Sequence, residues 1–121
     1  MEKLTKAEEP VMQLLWELKE AFVKDIIQNM PEPKPPYNTV SSIIRILEEK
    51  GMVSHKTYGK TYQYFPAIGK KEYSLKAFKS LVKDYFEGSY ANVMSFLIRE
   101  EGLTEEEINE LKNLIQQKEN E

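Results

Sequence analysis

Apolar residues recur along this chain at two spacings, and the change from one to the other marks its elements. Val11, Leu14, Leu15 and Leu18 fall at i, i+3, i+4 and i+7, one helical face, with Met12 and Trp16 beside it. The spacing predicts a first helix from about Thr5 to Lys19. Thr5 and Glu8 stand at capping-box distance. Pro10 has no backbone donor, so either the first turn is irregular or the regular helix begins at Glu9. Trp16 is too large to leave in water and is expected to pack on another element. Ala21-Phe22-Val23 reads as a short extended segment. A second helix then repeats the stripe at Val23, Ile26, Ile27 and Met30. Residues 31–37, PEPKPPY, hold four prolines and form a rigid turn. A third helix, Pro36 to Lys50, buries Val40, Ile43, Ile44 and Leu47 and stops at Gly51, where glycine suits the left-handed C′ position. The period then drops to two. Val53, His55 and Thr57 alternate up to a turn at Tyr58-Gly59-Lys60, and Thr61 to Phe65 return as a second strand.

Beyond Lys70 the pattern is helical throughout. A fourth helix, about Lys71 to Glu87, carries Leu75, Phe78, Leu81, Val82, Tyr85 and Phe86 on a wide apolar face. A fifth, about Ser89 to Glu101, turns Tyr90, Val93, Met94, Leu97 and Ile98 inward, with Gly102 after it. A sixth opens on the capping box Thr104-Glu105-Glu106-Glu107, with Leu103 and Ile108 placed for a hydrophobic staple. Its stripe is Ile108, Leu111, Leu114 and Ile115. The expected fold is mainly α with a small β-wing. Residues 1–69 form a winged helix-turn-helix, and residues 70–121 a three-helix domain. Some fifty residues in three helices cannot bury so many large side chains among themselves. The surplus calls for a partner, and a second copy of the chain is the simplest. Leu75, Phe78, Val82, Tyr85, Phe86, Val93, Leu97, Ile108, Leu111 and Ile115 are the expected dimerisation residues.

A length of 121 residues allows one domain or two small ones, and 40% hydrophobic content supports a core. With no cysteine, disulfides and thiolate metal sites are excluded, which fits a reducing compartment. No apolar run reaches the length of a membrane span, and the N-terminus MEKLTKAEEP has no apolar signal core. The expected location is therefore cytoplasmic, without membrane insertion.

Charge adds what periodicity cannot. The chain carries −3 overall, yet Lys50 to Lys71 holds five lysines and no acid. Residues 1–70 have ten basic and nine acidic side chains, residues 71–121 seven and eleven. A basic ribbon on an acidic protein is a nucleic-acid footprint, and the acidic C-terminal part is not expected to lie on DNA. On the third helix, Asn38, Ser41, Ser42 and Arg45 oppose the apolar face. These are residue types that read base edges in a major groove. With Thr39, Lys50, His55, Lys56 and Lys60, they make the expected surface for double-stranded DNA. Two copies on a two-fold axis would match a palindromic operator.

The chain resembles the penicillinase-repressor family over nearly its full length. The resemblance rests on AEEPVMQLLWE in the first helix, NTVSSIIRILEEKGMV in the third and YGKTYQYFP in the wing. The family pattern is V-M-x-x-x-W, then T-V-x-T-x-x-x-R-L-x-x-K-G, then G-(R/K)-x-Y-x-Y-x-P. Thr39 matches the family's first threonine, and Ser42 stands at the second. Ile46 replaces the usual arginine before the helix leucine, with Arg45 one position earlier. The resemblance implies a repressor, an operator-binding homodimer controlling a β-lactam-resistance-type or related operon. It also implies inactivation by a membrane sensor metalloprotease that cuts an Asn-Phe bond in the dimerisation part. Here the nearest matching bond is Ser95-Phe96. A copper-responsive branch carries C-terminal cysteines, which this chain lacks.

Three other classes compete. An enzyme would need convergent groups, and the sequence offers one histidine, no cysteine and no glycine-rich phosphate loop, so no enzyme and no cofactor are expected. A winged helix used for protein contact runs against the acid-free lysine run. A winged-helix regulator answering to a small molecule stays open, because no pocket can be read from sequence.

Overall fold

The computed structural model describes residues 3–120. The elements run α1 (Glu8–Leu18), α2 (Val23–Gln28), α3 (Tyr37–Glu49), β1 (Val53–Tyr58), β2 (Thr61–Pro66), α4 (Lys70–Phe86), α5 (Tyr90–Phe96), a π-helical turn (Leu97–Glu101) and α6 (Glu105–Glu119). The chain divides into two compact units, Met1–Ala77 and Phe78–Glu121. The fold is a winged helix-turn-helix followed by helices, as the periodicity predicts.

In the first unit the helical stripes converge. Val11, Met12 and Leu15 of α1, Ile26 of α2, and Val40, Ile44 and Leu47 of α3 are fully buried in one cluster, closed by Met52, Val53 and Tyr64. Full burial of an aliphatic side chain of this size is worth about 1.5–3 kcal/mol. Regular α1 starts at Glu8, three residues later than expected. An irregular first turn precedes it, in which the Glu8 and Glu9 amides both donate to the Thr5 carbonyl. The capping box still forms: Thr5 N–H donates to Glu8 Oε1 at 2.9 Å, and Glu8 N–H to Thr5 Oγ1 at 3.2 Å. Trp16 packs as expected. Its Nε1–H donates to the Ile68 carbonyl at 2.9 Å, and its ring lies 5.6 Å from Tyr73. The Tyr73 hydroxyl accepts from the Leu4 amide at 3.1 Å, which ties the first turns of α4 to the start of the chain.

The hairpin is antiparallel, from Val53 opposite Pro66 to Tyr58 opposite Thr61, leaving Gly59-Lys60 as a two-residue turn. Gly59 has the positive φ, 64°, that primed turns require. Ala21 adds a third edge: its N–H donates to the Tyr64 carbonyl at 2.9 Å, and the Tyr64 N–H returns the bond at 2.8 Å. α3 ends in a Schellman motif. The Met52 amide reaches the Leu47 carbonyl and the Gly51 amide that of Glu48, with Gly51 at φ 79°.

The second unit departs from expectation. α5 stops at Phe96 and continues as the π-helical Leu97–Glu101, ended by left-handed Gly102. Tyr90 and Ile98, expected to face inward, are each 49% exposed. Val82 and Val93, expected in a dimer interface, are 1% and 8% exposed and so already buried within the protomer. They are packing residues. The rings of Phe78 and Tyr90 stack at 6.0 Å, and those of Phe86 and Phe96 meet edge to face at 5.5 Å. α6 has its predicted capping box: Glu107 N–H donates to Thr104 Oγ1 at 3.1 Å, and Thr104 N–H to Glu107 Oε1 at 3.0 Å. The bond from the Thr104 amide, and then that from its hydroxyl, hold the Glu107 carboxyl below its ordinary pKa. α6 nevertheless has no fully buried residue; Ile108 and Leu111 are half-buried.

Candidate nucleic-acid interface

α3 and the wing together present the polar surface that the sequence pattern singles out. Asn38, Thr39, Ser42 and Arg45 are exposed on α3, and Lys56 and Lys60 are exposed on the wing. Ile46 is also exposed, at 45%. It brings an apolar side chain to a helix face that is otherwise polar, suited to contact with a thymine methyl.

Ser41 is a correction. It is only 7% exposed, because it sits about 60° round the helix from buried Ile44, on the flank of the apolar stripe. Its hydroxyl accepts a hydrogen bond from Arg45 Nη2 at 3.2 Å. It orients the arginine and does not itself face solvent.

Lys50 is a second correction. Its ammonium lies 2.9 Å from both oxygens of the buried Glu8 carboxylate, so it is turned toward α1. Burial raises the Glu8 pKa, but the Thr5 amide, the Lys50 ammonium and the Thr5 hydroxyl outweigh it, and the net value lies below the ordinary one. Glu8 is therefore a charged, structural carboxylate that joins α1 to the end of α3.

The basic ribbon is acid-free in sequence but not in space. Lys56 Nζ lies 3.2 Å from Glu20 Oε2, with the Phe65 ring 5.8 Å away. His55 Nδ1 is hydrogen-bonded to the Glu48 carboxylate of α3, and its ring stacks on Tyr62 at 4.1 Å. His55 thus pins the wing to α3 and is not available as an open phosphate ligand, a third correction. Arg45 and Lys60 form no ion pair among the described residues.

Sequence reasoning missed Lys24, Tyr37 and Tyr62, which join Arg45 and Lys60 around a cleft of about 470 Å³ between α2, α3 and the wing. Tyr37 gave a signal as an aromatic at the start of α3, and Tyr62 as the first tyrosine of the wing motif; Lys24 gave none. Burial, with Glu48 adding to it, raises the pKa of the Tyr64 phenol on the cleft wall.

A family model described as penicillinase repressor matches residues 4–117. The chain belongs to the penicillinase-repressor family. It is 26% identical over 117 residues to the methicillin resistance regulatory protein MecI of Staphylococcus aureus (strain N315), covering 96% of this chain and 95% of that one. It is 22% identical over 119 residues to the penicillinase repressor of Bacillus licheniformis, covering 98% and 93%. A solved structure described as a possible transcriptional regulator for arsenical resistance aligns at a TM-score of 0.45 and 18% identity, over 65% of this chain and 86% of that one, a likeness too loose to add to the family match. The family is one of transcriptional repressors. No described helix is long and apolar enough to cross a membrane, and no described cluster of His, Cys, Asp or Glu could hold a metal.

Proposed function

We propose that the chain is a homodimeric repressor that binds a palindromic DNA operator through α3 and the wing. The observation that carries this reading is the pair Arg45 and Lys60. They are cations on helix and wing, exposed, with no carboxylate bound to them among the described residues. Asn38, Thr39 and Ser42 add short polar groups on the same exposed helix. Arg45 is the base-reading candidate, with Ser41 fixing its guanidinium. Lys60 and, more weakly, Lys56 are phosphate ligands. The functional division falls between residues 1–69 and 70–121, the first part reading DNA and the second holding two copies together.

The dimer follows from α6. Its stripe of Ile108, Leu111, Leu114 and Ile115 lies on a helix with no fully buried residue: Ile108 and Leu111 are half-buried, and Leu114 and Ile115 are each 60% exposed. Phe78, Tyr85 and Phe96 are exposed as well. Apolar patches of this kind mark protein interfaces. The controlled operon is of the β-lactam-resistance type or a related one, and the repressor acts in the cytoplasm, a reading that membership of the penicillinase-repressor family supports. Cleavage at Ser95-Phe96 by a membrane sensor metalloprotease is the proposed induction step. The bond lies at the end of α5, immediately before the helix changes from α to π, and Phe96 is 48% exposed. Cutting there detaches α6.

Fluorescence anisotropy of the full chain on a duplex selected for binding, and on a scrambled duplex, tests the base-reading role. Arg45→Ala should lose about 1–3 kcal/mol on the selected duplex and much less on the scrambled one. An equal loss on both would reduce Arg45 to a phosphate contact. A fragment ending at Ser95 tests the switch. It should sediment as a monomer, and a fragment that stays dimeric with full affinity would rule out proteolysis at this bond as the switch.

A further inference from the structure

The cleft between α2, α3 and the wing has a chemistry of its own. Its volume of about 470 Å³ falls within the range of small-molecule sites, about 300–1,000 Å³. Its walls are aromatic: Phe22 just before α2, Tyr37 of α3, and Tyr62 and Tyr64 of β2. Its only charged lining groups are cations, namely Lys24, Arg45 and Lys60, and none of these forms an ion pair among the described residues. A cleft with flat apolar walls and uncompensated positive charge is complementary to a planar ring bearing a negative group.

The walls are held in place from several sides. His55 stacks on Tyr62 and is bonded to Glu48, which fixes the wing against α3. The Phe22 ring meets Tyr58 edge to face at 5.7 Å, which fixes the start of α2 against the wing turn. The Ala21–Tyr64 bridge ties the same two elements through the backbone. Ser41 Oγ holds the Arg45 guanidinium at the cleft edge. A ligand entering here would meet a largely pre-formed site and lose little binding energy to ordering it.

We propose that this cleft binds a small aromatic carboxylate of one or two rings, and that the bound ligand excludes DNA. The ring would lie against Tyr37 and Tyr62, with the carboxylate toward Lys24, Arg45 and Lys60. The second half of the proposal rests on the DNA-binding reading. Arg45 and Lys60 cannot serve a carboxylate and a duplex at once, so ligand and DNA compete.

The test uses 2-naphthoate as probe, with 2-naphthamide as its uncharged counterpart and inorganic phosphate as an anion without a ring. Amide shifts of the isotope-labelled full chain are followed by NMR. Naphthoate should give saturable shifts at Phe22, Tyr37, Arg45 and Tyr62, with a Kd on the order of 1 mM or below, as expected for a ligand of its size. Naphthamide and phosphate should bind at least about tenfold more weakly, and Lys24→Glu should weaken naphthoate by a similar factor, since each removes an ionic or a ring contact. Absence of saturable shifts in the cleft would overturn the proposal. So would equal binding of the amide, or shifts confined to the exposed apolar residues of the second unit, such as Phe78 and Ile115. In a second arm, saturating naphthoate should release a bound duplex, and a duplex retained at saturation would also overturn it. A chain that binds no duplex with or without naphthoate would strike the DNA reading instead, and the NMR arm would still decide the cleft.

Discussion

The two units of this protein use their apolar residues in opposite ways. In the first, the stripes of α1, α2 and α3 meet, and Val11, Leu15, Ile26, Ile44 and Leu47 are completely buried. In the second, Val82 and Val93 are the buried apolar residues among those described, while Phe78, Leu81, Tyr85, Tyr90, Phe96, Ile98, Leu114 and Ile115 stay exposed. Both units show helical periodicity in the sequence. Periodicity therefore identifies a face that must be covered, but not what covers it. In the first unit the cover is the chain itself. In the second, the proposed cover is another copy.

The largest expected effect comes from breaking the second unit's cover. Ile115→Glu would bury a charge in the proposed interface, which costs several kcal/mol. Sedimentation should show monomers. Affinity for a duplex with two half-sites should fall by about 10²–10⁴, the worth of linking two binding modules. Circular dichroism should show the winged helix still folded. A dimeric variant would place the interface elsewhere.

The reciprocal change acts on the first unit. Leu47→Ala leaves a cavity in its core and should cost about 2–5 kcal/mol of stability, read from denaturant melts. Dimerisation should persist, because the second unit is untouched. Simultaneous loss of both would show that the two units are not independent in stability.

A smaller effect probes the Glu8–Lys50 pair. The Glu8 carboxyl is held below its ordinary pKa in the fold. Its contribution is therefore complete above about pH 5 and is lost as pH falls through the lowered value. Glu8→Gln should cost about 1–3 kcal/mol at pH 7 and should flatten the loss of Tm on acidification. A variant whose Tm falls with pH as steeply as the parent's would show that Glu8 contributes little to acid sensitivity.

The smallest expected effect separates two lysines of the same wing. Lys60→Ala should lower the slope of log affinity against log salt by about 1 per bound subunit. Lys56→Ala should lower it by less, because Glu20 already offsets that charge. Equal changes would mean that Lys56 leaves Glu20 when DNA binds.

These contrasts also mark what the sequence could reveal. Helices, hairpin and turn were legible because each follows a local rule: the 3.6 period at Val40, Ile44 and Leu47, the glycine turn at Tyr58-Gly59-Lys60, which the structure narrows to Gly59-Lys60, the capping box at Thr104. The state of the cations was not legible. Glu8 lies 42 residues before Lys50, and Glu20 lies 36 before Lys56, so the acid-free run from Lys50 to Lys71 acquires its acids only on folding. Ser41 was misread because one position on a helix flank separates a buried site from an exposed one. The π-helical turn at Leu97–Glu101 left no trace, since Val93, Met94, Leu97 and Ile98 fit the α period equally well. The cleft was invisible for a plainer reason: its walls come from three elements distant in the chain.

Two copies reading DNA through α3 and the wing is the central claim. Selection of bound duplexes from a random pool by the full chain tests it most directly, because the operator sequence need not be specified beforehand. The predicted result is enrichment of two inverted half-sites whose centres are spaced by whole turns of the duplex, about 10–10.5 base pairs or a multiple, and loss of that paired symmetry with Ile115→Glu. Enrichment of a single unpaired site by the unaltered chain, or no enrichment at all, would contradict it.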